Sequence, residues 1–103
     1  MLRIQPVILE WVASLPIRAI ARHDDNLAKQ LRRAATAVYL GVAEGSGAQG
    51  GRKRNAYRIA LGEMREAVAA LELAVAFGHV DAPDDACVER QDHVIGTLVR
   101  LAR

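Results

Sequence analysis

Apolar residues recur at three- and four-residue steps along almost the whole chain, the period of helices that bury one face. Ile4, Val7, Ile8, Trp11, Val12, Leu15, Ala19 and Ile20 mark a first segment. Pro16 lies inside it and removes a backbone hydrogen bond. A kink near Ala13–Leu15, or a split into two shorter helices, is therefore expected. The cluster His23-Asp24-Asp25-Asn26 interrupts the pattern, and Asp24 or Asp25 can cap the next helix. Leu27, Leu31, Ala34, Ala35, Val38 and Val42 form one face of the second segment. The glycine-rich stretch Gly45–Gly51 is expected to end it in a flexible interhelical loop. A third segment starts near Arg52–Asn55 and runs through Tyr57, Ala60, Leu61, Met64, Val68, Leu71 and Val75 to a stop at Gly78. The fourth begins at Asp84 or Asp85, after Pro83, and lines up Cys87, Gln91, Val94, Ile95, Leu98, Leu101 and Ala102.

Four amphipathic segments with short connections predict an all-α fold, an antiparallel up-down-up-down four-helix bundle in a single domain over residues 1–103. With only Trp11, Tyr39, Tyr57 and Phe77 as aromatics, the core must come from Leu, Val, Ile and Ala, which favours helices. No strand alternation or internal repeat competes. One stretch exceeds what a monomer needs. From Ala67 to Phe77 only Glu72 is polar, and a helix apolar all round is normally buried all round. The surplus face predicts a contact between subunits in a homo-oligomer; the other reading is that exposed Ala serves only as a good helix former.

Candidate chemistry is sparse. The single cysteine, Cys87, excludes an internal disulfide and reads as a small buried hydrophobe. Cys87, His23, His79 and His93 lack the paired spacing of zinc sites. The three histidines fall in separate segments and read as solvated, and Asp81, Asp84, Asp85 and Glu89 read as helix-start carboxylates. Gly45–Gly50 matches GxGxxG in letters, but no strand precedes it, so it is not read as a nucleotide site. The chain is therefore read as non-enzymatic, with no metal and no cofactor. The apolar N-terminal run is broken by Gln5, Pro6, Glu10 and Pro16, which argues against a signal peptide or a membrane span and for a cytoplasmic protein.

Charge is distributed unevenly. Residues 1–54 carry nine Lys/Arg against four Asp/Glu, a balance of +5, whereas residues 55–103 carry five against eight, a balance of −3. Arg52, Lys53 and Arg54, with Arg58 one turn on, form the best candidate site, a basic group able to meet nucleic-acid phosphates. The alternative is a solvated turn. A second hairpin centred near Gln49 would face residues whose numbers sum to about 98. That register sets Arg32 opposite Glu66 and Glu44 opposite Arg54, and predicts that Arg32 or Arg33 pairs with Glu63 or Glu66.

Leu31-Arg32-Arg33-Ala34-Ala35, then Val42-Ala43-Glu44-Gly45, then Ala60-Leu61-Gly62 with Glu66, and finally Ile95-Gly96 with Leu98 resemble the small bacterial four-helix bundle proteins encoded in intervening sequences of 23S ribosomal RNA genes. Tyr39 and Gly41 stand where that family usually has Pro and Asn, the site of an expected kink. The resemblance implies a homopentamer. It also implies kinship with accessory variability proteins of diversity-generating retroelements, basic pentamers that bind nucleic acid and a reverse transcriptase. The expected function is a ring-like, oligomeric nucleic-acid-binding or scaffold protein, with structured RNA as the leading partner. The alternative is a protein-only adaptor for a partner such as a reverse transcriptase.

Overall fold

The computed structural model describes residues 2–103 and contains five helices: α1 (Ile4–Ser14), α2 (Ile17–Ala21), α3 (Asp25–Gly47), α4 (Gly50–Ala76) and α5 (Asp85–Leu101). α1 and α2 together make the first rod of a four-helix bundle. The rod breaks where the proline requires it: Leu15 is extended (φ −68°, ψ 132°), because the ring of a proline disfavours helical geometry in the residue before it. Ile4–Ala21 is the one stretch among the described residues that is long and apolar enough to cross a membrane, with mean hydropathy 1.3. It folds as two short helices that bury Ile8, Trp11 and Ile20 in the bundle.

The helix ends follow local chemistry. The Asp24 carboxylate accepts a hydrogen bond from the Leu27 amide at 3.0 Å, and that of Asp84 from the Cys87 amide at 2.8 Å. Gly78 takes the left-handed conformation (φ 78°) after α4. There the His79 amide donates to the Ala74 carbonyl and the Gly78 amide to that of Val75, both at 2.9 Å, which is a Schellman closure.

The glycine-rich stretch departs from expectation. Gly45-Ser46-Gly47 completes α3 and Gly50-Gly51 opens α4, so only Ala48 and Gln49 lie between the two longest helices. Tertiary contact explains this. A Cβ placed on Gly45 would lie 2.5 Å from the Tyr57 ring, and one on Gly41 would lie 3.1 Å from the Ala60 Cβ. The glycines let α3 and α4 approach closely, and packing of the buried Tyr57 ring offsets the roughly 1 kcal/mol that each helical glycine costs. α3 remains one unbroken helix through Tyr39 and Gly41.

α3 and α4 form the central hairpin. α2 packs on α3, α5 on α4, and α1 on both α3 and α5. Trp11, Ile8, Ile20, Leu31, Val38, Tyr57, Met64, Val94 and Leu98 fill the core. Within it Gln91 holds α1 to α5: its Oε1 accepts from Trp11 Nε1 at 3.3 Å and from Cys87 Sγ at 3.5 Å. The Tyr57 hydroxyl is buried without a partner, and burial raises its pKa.

Two glycines of the hairpin should respond oppositely to alanine. Gly45→Ala is expected to lower stability by about 1–3 kcal/mol through the clash with Tyr57. Gly62 lies mid-helix with nothing near its missing Cβ, so Gly62→Ala should raise stability by up to about 1 kcal/mol. Urea titration followed by circular dichroism measures both, and equal signs would contradict the assigned packing. Burial also pushes the Cys87 thiol pKa up. Its alkylation in native buffer should therefore track global unfolding, and rapid labelling of folded protein would show the site to be open.

Candidate nucleic-acid interface

Bundle topology decides which charges meet. The Glu10–Arg90 ion pair (3.4 Å), with Val7 beside His93 on one side of it and Ser14 beside Cys87 on the other, sets α1 antiparallel to α5. The Arg58 Nε donates to the Ala102 carbonyl at 3.2 Å, which ties the start of α4 to the end of α5. The last turn of α5 therefore meets α4 in its third turn, and the start of α1 points toward the same end of the bundle as the α3–α4 corner.

Arg52, Lys53 and Arg54 lie in the first two turns of α4 and not in a loop, because the helix begins at Gly50. Successive helical residues point about 100° apart, so the three fan outward. Arg52 borders a shallow cleft with Gly41, Glu44, Asn55, Ala56 and Ile59. Lys53 is half-buried, and Arg54 is exposed one turn before the exposed Arg58. Arg58 has a double role, since its Nε is spent on the carbonyl end of α5 while the side chain stays exposed.

The end of α5, which carries Arg100 and Arg103, meets α4 at Arg58, although the Arg100 guanidinium turns back to the Thr97 hydroxyl at 3.3 Å. Arg58 and Ala102, the residues that join the two groups, are 44 positions apart. The available signal was the basic last turn of a helix that an antiparallel bundle must return to this end. Arg3 precedes α1 here as well. Glu44 is the acidic residue of this end among the described residues. No side chain caps the start of α4, whose first amides add partial positive charge. The opposite end carries Asp24, Asp25, Asp81, Asp84 and Asp85, together with Arg18, Arg22 and Lys29, the last paired with Asp25 at 2.9 Å.

The ion pairs of the hairpin centre on Arg33. It contacts Glu63 at 2.9 Å and also Glu66, and these two carboxylates raise its pKa, Glu66 foremost. Arg32 forms no ion pair among the described residues, contrary to the expected facing with Glu66. It sits about 100° round the helix from Arg33, away from α4. Glu44 does not pair with Arg54 either; it borders the cleft with Arg52, because Arg54 lies about 200° round α4 from Arg52.

No constellation for acid–base or nucleophilic catalysis converges here. His23 and His79, read from sequence as separate, stack at the end opposite the α3–α4 corner with ring centroids 5.3 Å apart and planes 7° from parallel. Among the described residues no three His, Cys, Asp or Glu side chains gather as a metal site.

Comparison with known proteins supports the same placement. The chain is similar over nearly its full length to a crystal structure of a protein of unknown function from the S23 ribosomal protein family of Bacteroides thetaiotaomicron VPI-5482. The TM-score is 0.81 at 18% identity, covering 97% of this chain and 98% of that one, a likeness of fold. Comparison with curated proteins finds no match. The family described as 23S rRNA-intervening sequence protein matches residues 11–98, which takes in all four rods of the bundle. On that match, the chain belongs to the 23S rRNA-intervening sequence protein family.

Proposed function

We propose that this protein is a non-enzymatic, oligomeric nucleic-acid-binding protein that engages structured RNA through phosphate contacts at its basic end. The observation that carries the reading is the run of Arg52, Lys53, Arg54 and Arg58 over the first turns of α4, with the C-terminal end of α5, which carries Arg100 and Arg103, meeting that run at Arg58. Phosphate contact by Arg and Lys supplies affinity with little sequence information. Tyr57, the aromatic nearest this cluster in sequence, is buried against Gly45 and offers no face for base stacking, so shape and backbone are what this end can sense.

A single basic end binds weakly, and repetition strengthens it. Leu40 (60% exposed), Ile59 (57%), Leu73 (48%) and Phe77 (62%) leave apolar surface along the α3–α4 hairpin, which supports self-association. A homopentamer, the number implied by the family resemblance, would set five basic ends on one rim and make later phosphate contacts intramolecular. The same exposed residues favour a second reading, an adaptor that binds a partner protein such as a reverse transcriptase.

Binding of a structured RNA at two salt concentrations separates the readings. Wild type should lose affinity steeply as salt rises. The triple variant Arg52→Ala, Lys53→Ala, Arg54→Ala should bind more weakly, its log–log salt slope shallower by about one for each phosphate that the variant leaves unneutralised. Arg100→Ala with Arg103→Ala should do the same, although these residues are remote in sequence. Absence of wild-type binding at low salt, or variants that bind like wild type, would leave the adaptor reading in place.

A further inference from the structure

A groove on α4 carries a more specific conclusion. Val68, Leu71, Val75, Ala82, Pro83 and Gln91 line a hollow of about 290 Å³ between α4, the α4–α5 connection and α5. A cavity on the order of 150 Å³ already holds a benzene ring. The lining is almost wholly apolar except for Gln91 and for Glu72 beside it. Gln91 directs Oε1 to the donors on Trp11 and Cys87. Its amide NH₂ has no protein acceptor among the described residues and is a donor for a carbonyl that enters with an apolar group.

The other flank of α4 carries a matching projection. Leu73 and Phe77 each lie two residues beyond a groove residue, Leu71 and Val75. They therefore point about 200° round the helix from the groove, at nearly the same level along it. Phe77 is 62% exposed and projects beside the His79 ring, 5.5 Å away, which stacks on His23. Glu72 flanks the groove, and Asp81 and Asp84 line the hollow that adjoins it. The His79 ring, with the Asp24 carboxylate 4.0 Å from its Nε2, flanks the projection, and Glu72, Asp81 and Asp84 border the receptor.

We infer that the groove receives Phe77 of a second copy of this chain, so that subunits join head to tail. Projection and receptor are different surfaces on opposite flanks of one helix, the arrangement a heterologous contact needs. Their common level lets successive copies stand side by side with their basic ends pointing the same way. This inference rests on the oligomeric part of the reading above and names the surfaces that form it.

The test uses complementation, followed by light scattering at micromolar concentration. Phe77→Asp removes the projection and keeps the groove; Ala82→Trp fills the groove and keeps the projection. Both positions are exposed, and Phe77→Ala and Ala82→Arg serve as second variants, with circular dichroism confirming helicity. Each variant alone should fall to monomer mass. Mixed in equal amounts, they should form a two-subunit complex, because one intact projection meets one intact groove. Retention of the wild-type oligomer by any folded variant, or failure of the monomeric variants to pair on mixing, overturns the inference while oligomerisation stands. A monomeric wild type overturns the oligomeric reading and this inference with it.

Discussion

At Gly45 the two long helices come so close that one added methyl group would drive into the Tyr57 ring. Much of the molecule depends on that approach. It allows α3 to remain helical through Gly47 and α4 to begin at Gly50, which leaves only two residues to reverse the chain. A reversal this short leaves little freedom in register. The register in turn brings Arg33 to Glu63 and Glu66 and places Arg52, Lys53 and Arg54 on the first two turns of a rigid helix. Basic residues on a helix hold a set spacing, whereas the same residues on a mobile loop would have to be ordered before they could meet a ligand.

The remaining rods are held to this hairpin by few polar ties and a largely aliphatic core. Gln91 satisfies the Trp11 indole inside the bundle, where an unpaired donor would cost about 1–3 kcal/mol. Arg58 meets the carbonyl end of α5. That second tie joins structure to charge, because the side chain that closes α5 also stands among the residues proposed to meet phosphate. The helix that returns brings Arg100 and Arg103, and the N-capping aspartates lie at the opposite end. Capping alone would have produced acidic helix starts; antiparallel packing concentrates those of α3 and α5 at one end.

Membership of the 23S rRNA-intervening sequence protein family agrees with the four-rod architecture and names no enzymatic activity. The structural relative shares the fold and is likewise of unknown function. The case for nucleic acid rests on this chain's own charge distribution. The case for self-association rests on apolar side chains left outside a bundle that otherwise buries its large aliphatic residues well.

The sequence by itself determined the four rods, the break before Pro16, aspartate caps at Asp24 or Asp25 and at Asp84 or Asp85, and the stop at Gly78, because periodicity, proline geometry and capping act over a few residues. The family could also be read from LRRAA and ALG with their spacing. The fate of the Gly45–Gly51 stretch was not legible. Glycine propensity argues for a loop, and the close seat of Gly45 against the Tyr57 ring is a tertiary contact that propensity does not register. Nor was it legible that Arg33, rather than Arg32, faces the carboxylates, since helix phase at a contact depends on how the partner helix is rolled against it. The pairing of His23 with His79, and the meeting of Arg58 with the end of α5, were decided by tertiary structure alone. Residues far apart in the chain become neighbours only when packing brings their helix ends together.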